Sequence, residues 1–350
     1  MTLPNTMSGV YLTQHGGPEA LDWREDIPVP QPGPGQVLVR VLAAGVNNTD
    51  INTRVGWYSS DVTGATDAVD QDVEAGGWGG ALHFPRIQGG DLCGIVEVAA
   101  PDTGFKPGQR VTCPINLPRP RPGHSTGFIA LGSEMDGAFA QYCVVEADDL
   151  YDVTASPLSD VEIAAIPCAF GTAENLLTRA GVTSGQKVLI TGASGGVGLA
   201  AVQLAALRGA TVWGVTSPAK AEVVKGQGAA ETFARDAALP ADMFDVVIDV
   251  VGGPAWSRLI LALKPGGHYA VSGAIAGPIV QADLRDIYLR DITIHGCTHQ
   301  AFEVFGRLVE MINAGRIRPL ISNTYSLKDI AAAQADFQSK AFPGKLVLIP

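Results

Sequence analysis

The chain has 350 residues, 46% hydrophobic and 17% charged, with 24 basic against 35 acidic side chains and a net charge of −11. That length accommodates two domains with buried cores, and the acidic balance argues against a general nucleic-acid binder or a protein that docks on anionic membranes. No uninterrupted apolar stretch reaches spanning length, Met1–Asn5 carries no leader pattern, and five scattered cysteines without a CxxC pair fit a reducing cytoplasm.

Short β-like runs come first, at Gly35–Val41, Gly94–Val98, Gln109–Thr112 and Phe139–Val145, punctuated by turns such as Pro32-Gly33-Pro34-Gly35 and Lys106-Pro107-Gly108. Their spacing predicts a mostly β domain. Two irregular insertions interrupt it, near 59–82 and 114–135. The first carries five acids (Asp61, Asp67, Asp70, Asp72, Glu74), no Lys or Arg, and the run Gly76-Gly77-Trp78-Gly79-Gly80. It reads as a solvated lid.

The middle of the chain changes character. The apolar run Lys187–Thr191 enters Gly192-Ala193-Ser194-Gly195-Gly196-Val197-Gly198, and a helical segment follows over Leu199–Arg208, capped by Gly209. A strand that turns through glycines into a helix aims unpaired N–H groups and a positive dipole end outward, a site suited to a pyrophosphate. Further strand-like runs at Thr211–Thr216, Asp245–Val251 and His268–Gly273, the last after the turn Lys264-Pro265-Gly266-Gly267, predict an α/β fold with a doubly wound parallel sheet. In an NAD site an acid ends the second strand and accepts the ribose hydroxyls. Here that strand runs on into Thr216, Ser217, Pro218, Ala219 and Lys220 without a carboxylate. Ser217 and Lys220, with Arg235 assisting, suit a 2′-phosphate, so NADPH is the expected cofactor.

These segments, with Leu12–Leu21, Pro32–Val41, Gly45-Val46-Asn47-Asn48-Thr49-Asp50, Gly137–Tyr142 and the closing Gly344-Lys345-Leu346-Val347-Leu348, resemble the medium-chain dehydrogenase/reductase superfamily. The N-terminal phrases look most like its zinc-independent, quinone oxidoreductase-like branch. The resemblance implies a GroES-like, mostly β catalytic domain over 1–167, a Rossmann NADP-binding domain over 168–297 and a return to the catalytic domain over 298–350. It also implies an active site in the cleft between the two and pairing of two copies through an edge strand. Ile279–Leu284 and Ile292–His295 are the candidates for that homodimer contact.

In zinc-dependent relatives a Cys, the His of a Gly-His-Glu motif and a second Cys hold the metal. Those positions fall here on Asn47, Gly90 and Cys168, of which only the last offers a thiolate, and the insertion over 114–135 lacks the cysteines of a structural zinc lobe. No metal is expected. Without one, the acceptor's electrophilicity must be built in, as in a quinone or an α,β-unsaturated carbonyl compound. Hydride from nicotinamide C4 would add to the electron-poor carbon while hydrogen bonds hold the oxyanion. The resemblance assigns this role to Asn47, Thr49 and Tyr58, although Asn47 or Thr49 equally reads as a helix N-cap and Tyr58 as a pocket wall. It places Thr172, Ser194, Gly195, Gly196, Val197, Thr216, Ser217, Lys220, Val251, Gly273 and Ala274 around the cofactor. Two alternatives stay open: an alcohol or aldehyde reductase with atypical metal ligands such as Asp91, Cys93 and Cys168, and a non-catalytic NADPH-binding protein.

Overall fold

In a computed structural model, described here for residues 3–59, 61–65, 78, 82–120 and 122–350, the glycine-punctuated runs pair into separate sheets. Most of the acidic insertion expected as a lid lies outside the described residues. The chain divides into two compact units, one made of Met1–Val62, Asp70–Cys168 and Ala301–Pro350, the other of Thr63–Val69 and Ala169–Gln300. Among the described residues no helix is long and apolar enough to cross a membrane.

In the first unit a seven-stranded sheet is organised around Gln36–Gly45. That strand pairs antiparallel with Cys93–Ala99, with Tyr142–Glu146 and with the last strand, Lys345–Ile349. Alternation buries Val37, Val39 and Val41 against Phe139, Val145 and Leu348, forming a continuous core. The C-terminal pairing sets Val347 opposite Gly45 and Leu348 opposite Ala44, and the Val46 N–H bonds the Leu346 carbonyl at 2.9 Å. Lys345 is thereby carried beside Val46 and Asn47. Gly344 makes the approach possible: its φ is +97°, and a Cβ there would lie 2.4 Å from the Leu320 carbonyl oxygen.

The second unit carries a six-stranded sheet in which every pairing is parallel. Lys187–Ile190 lies at its centre. Thr211–Val215 and then Glu231–Phe233 extend it to one side; Phe244–Asp249, Leu263–Val271 and Thr293–Gly296 extend it to the other. Counted along the chain the order is 3-2-1-4-5-6, the Rossmann arrangement, with the order reversing at the strand that feeds the glycine turn. The expected fold class is the observed one. One local expectation changes: Lys264–Gly267 does not precede the fifth strand but bulges within it. Pairing with the fourth strand jumps from Phe244↔Leu263 to Val246↔His268, and Lys264 anchors the bulge by a 2.7 Å ion pair to Asp245.

Candidate active site

Helix Asn48–Val55 positions the expected acceptor side. Asn47 stands at its N-cap with extended backbone, and Asp50 Oδ2 accepts the Asn47 N–H at 2.8 Å. Gly56, at φ +73°, ends the helix in the left-handed conformation while the Trp57 N–H bonds the Asn52 carbonyl at 2.8 Å. This reversal folds Tyr58 back onto the first turn, where its hydroxyl donates to Thr49 Oγ1 at 2.9 Å. Burial pushes the Tyr58 phenol up to about 12, so it keeps its proton at neutral pH. The Tyr58 ring faces Trp78 at 6.4 Å between centroids with the planes 10° apart, and Trp78 meets Phe128 edge-on at 5.8 Å.

Asn47 is engaged more deeply than a cap. Its Nδ2 donates to Asp91 Oδ2 at 2.9 Å, and its Oδ1 accepts from the Lys345 ammonium. Lys345 Nζ also bonds Asp91 Oδ2 and the Val46 carbonyl, each at 2.9 Å, so all three ammonium hydrogens have acceptors. The other Asp91 oxygen takes the Cys168 N–H at 2.6 Å. Lys345 is 4% exposed and Asp91 0%. Gly45 leaves the room for this pair, since a Cβ there would stand 2.4 Å from Asp91 Oδ2. Asp50, beside this cluster, has its carboxyl pushed up to about 7, chiefly by burial.

These residues do not fit a catalytic zinc. The Asn47 oxygen is taken by an ammonium, and both Asp91 carboxylate oxygens are engaged, Oδ2 by Lys345 and Asn47 and Oδ1 by a backbone N–H. A side chain at position 90 would place its Cβ 2.0 Å from Ile115 Cδ1. Nor do Asp91, Cys93 and Cys168 form an alternative set: the Cys93 thiol turns to Asp160 at 3.9 Å, and burial raises its pKa. Among the described residues no group of three His, Cys, Asp or Glu side chains is arranged to hold a metal.

In the second unit the expected cofactor residues gather mainly at the carboxyl edge of the parallel sheet. Gly192 has φ +57°, Ala193 N–H bonds the Val215 carbonyl at 3.1 Å, and the Ala193 methyl packs where a Gly214 side chain would be. Gly195 caps helix Gly196–Leu207, whose first N–H groups, including those of Gly196 and Val197, have no acceptor within the helix. A Cβ at Gly198 would lie 2.2 Å from the Gly192 carbonyl oxygen, so the turn closes only around hydrogen. Ser194 lies in this turn; Thr216 and Ser217 follow the second strand. Val251, whose N–H bonds Asp249 at 2.9 Å, follows the fourth, and Gly273 and Ala274 follow the fifth. Thr172 lies on helix Pro167–Arg179, which precedes the sheet in the chain.

Three features suit this edge to a dinucleotide: the closed glycine turn, a buried Thr216 Oγ1 without a partner among the described residues, and a cationic corner. At that corner desolvation and the nearby Arg235 charge lower the Lys220 pKa. Beneath the turn lies a buried knot absent from the expected site: Asp249 accepts Thr191 Oγ1 at 2.5 Å and the Tyr269 hydroxyl. Like Asp91 and Lys345, Asp249 could have been flagged as an ionisable residue inside an apolar run, which needs a partner when buried.

A glycine turn at the switch point of a parallel sheet is the arrangement of a dinucleotide-binding domain. The "Alcohol dehydrogenase GroES-like domain" family matches residues 33–155 and the "Zinc-binding dehydrogenase" family residues 196–314. A solved thermostable alcohol dehydrogenase of Pyrobaculum aerophilum is 31% identical, with a TM-score of 0.83 covering 99% of this chain and 100% of that one. Quinone oxidoreductase of Mus musculus is 29% identical, covering 98% of each chain. Acryloyl-coenzyme A reductase of Metallosphaera sedula is 28% identical, covering 91% of this chain and 93% of that one. The chain belongs to the medium-chain dehydrogenase/reductase superfamily, in its quinone oxidoreductase-like branch, and is an oxidoreductase.

Proposed function

We propose that this protein is an NADPH-dependent reductase of quinones or α,β-unsaturated carbonyl compounds that works without a catalytic metal. The observation that carries the reading is the Lys345 ammonium among Asn47, Asp91 and Val46, which ties up the donors a zinc would need. Without a Lewis acid, an alkoxide is poorly stabilised and an already polarised acceptor is favoured. Bound NADPH supplies a hydride to the electron-poor carbon of that acceptor.

The protein's part is to hold the oxygen where negative charge develops. Asn47 Nδ2 carries two hydrogens and gives one to Asp91, leaving one for the substrate oxygen. Tyr58 donates to Thr49, so the Thr49 hydroxyl hydrogen also remains for the substrate. As that proton moves to the oxyanion, the Tyr58 proton refills Thr49 and a proton from solvent water returns to Tyr58, so the phenol is protonated again at the end of the step. On the cofactor side, Ser194–Val197 would hold the pyrophosphate, and Ser217, Lys220 and Arg235 the 2′-phosphate. The nearness of the Arg235 charge, which acts with the larger effect of burial to lower the Lys220 pKa, supports this, because two neighbouring cations gain from an anion between them.

The alcohol dehydrogenase of Pyrobaculum aerophilum favours a second reading, reduction of simple aldehydes. NADPH oxidation by metal-depleted protein against 1,4-benzoquinone, methyl vinyl ketone and butanal separates the two: turnover of the first two supports the proposal, and zinc-dependent turnover of butanal alone refutes it. A homodimer joined at Thr293–Gly296 is part of the same reading. Ile294 is exposed on that edge strand, with exposed Ile279, Leu284, Tyr288 and Leu289 elsewhere in the same unit.

A further inference from the structure

The Lys345–Asp91 pair lies far from any reacting atom in sequence, yet it touches the one amide the site depends on. We propose that Lys345 is a positioning residue: its ammonium, held by Asp91 and the Val46 carbonyl, locks the Asn47 amide in one orientation and sharpens it as a hydrogen-bond donor. The inference rests on the reductase reading above and assigns the task a metal performs elsewhere to a charge within the chain.

The amide has two orientations, and the pair tolerates one. In the folded protein Oδ1 faces the ammonium and Nδ2 faces the carboxylate at 2.9 Å. Flipped, the NH₂ would meet an ammonium with no acceptor to offer and the carbonyl would meet a carboxylate with no donor, inside a region excluded from water. The cation at Oδ1 also draws electron density from the amide, so the second Nδ2 hydrogen becomes a stronger donor toward an oxyanion. The same carboxylate reaches the Cys168 N–H, so the positions of Asn47 and Cys168, and of Gly90 next to Asp91, are joined through one ion pair. Its rigidity comes from the fold: Lys345 arrives on the terminal strand paired to Gly45, and Gly45 itself leaves the space the pair fills.

Removing Lys345 alone strands a buried carboxylate and destabilises the protein for that reason alone. The informative protein is therefore Lys345→Met/Asp91→Asn, which removes both charges. Steady-state NADPH oxidation with 1,4-benzoquinone is measured alongside the unfolding midpoint and the NADPH dissociation constant. A positioning role predicts a near wild-type midpoint, NADPH affinity within twofold, and kcat lowered about 100-fold, the lower end of the range for loss of one oxyanion donor. It further predicts that Asn47→Ala costs about 100-fold in the wild-type protein but under threefold in the double variant, because the amide there is already misdirected. Recovery of kcat together with the midpoint, or an undiminished cost of Asn47→Ala, overturns the inference and leaves the reductase reading standing. Should the double variant fail to fold, Lys345→Arg keeps the charge but moves it; kcat at least tenfold down in a folded protein supports the inference and kcat within twofold overturns it. Wild-type protein that binds NADPH but reduces neither 1,4-benzoquinone nor methyl vinyl ketone overturns the reductase reading and this inference with it.

Discussion

Two glycines in the turn between the first Rossmann strand and its helix separate packing from ligand approach. At Gly198 an alanine Cβ would lie 2.2 Å from the Gly192 carbonyl oxygen, 2.6 Å from Ala193 Cα and 2.8 Å from the Gly192 carbonyl carbon, all of them backbone atoms. Reaching an ordinary 3.4 Å contact would require 3.4 − 2.2 = 1.2 Å of movement in a turn pinned to the Val215 carbonyl. Overpacking of this kind costs about 2 kcal/mol, a fall of roughly 4–8 °C in midpoint. Gly195 differs: its φ of −81° suits any residue, and the nearest atom to a Cβ is 3.4 Å away. As the helix N-cap it would accept Asp without loss of stability, while the added charge would repel a diphosphate at the helix N-terminus. Thermal unfolding of cofactor-free protein and fluorescence titration with NADPH measure both effects. The expectation is a lowered midpoint for Gly198→Ala, and for Gly195→Asp an unchanged midpoint with NADPH affinity down at least about 100-fold. A Gly198→Ala protein that melts like the wild type, or a Gly195→Asp protein that binds NADPH within threefold, refutes the reasoning.

Lys220→Ala should weaken NADPH about tenfold, the loss of one charge-assisted hydrogen bond, and leave NADH affinity within twofold; equal losses for both cofactors would remove the 2′-phosphate assignment. Asp50, with its carboxyl pushed up to about 7, holds a proton in the folded state that the unfolded chain has already released. Its contribution to stability is therefore present below about pH 4, is lost as pH rises toward 7, and is flat above. Urea unfolding from pH 4 to 8 should show that decline in the wild type and a shallower one in Asp50→Asn; identical slopes would contradict the assignment. Ile294→Lys, on the exposed edge strand, should convert a dimer to a monomer by sedimentation, and an unchanged sedimentation coefficient would count against that edge as the contact.

The parallel sheet was legible because its signals are local: apolar runs, a glycine turn and a helix follow one another within a short span. Gly209 likewise declares itself, ending the helix at φ +81°. The acceptor site was legible only in part. Thr49 and Tyr58 meet because Gly56 reverses the chain a few residues away. The partners of Asn47 come from Asp91 and from Lys345, which reaches it across nearly the whole chain through a strand pairing that no local pattern announces. Lys345 and Asp91 could be read as single charges in apolar runs, but not as a pair with each other. Ile115, which fills the space beside Gly90, was equally hidden, since it comes from an insertion with no periodic pattern.

Catalysis without a metal is tested by the turnover of metal-depleted protein, with residual zinc determined by mass spectrometry, using NADPH with 1,4-benzoquinone and with methyl vinyl ketone. A metal-free reductase keeps full activity at well under about one zinc per hundred chains and gains nothing when zinc is restored. Activity that vanishes with the metal and returns with it would make the protein a metal-dependent enzyme instead.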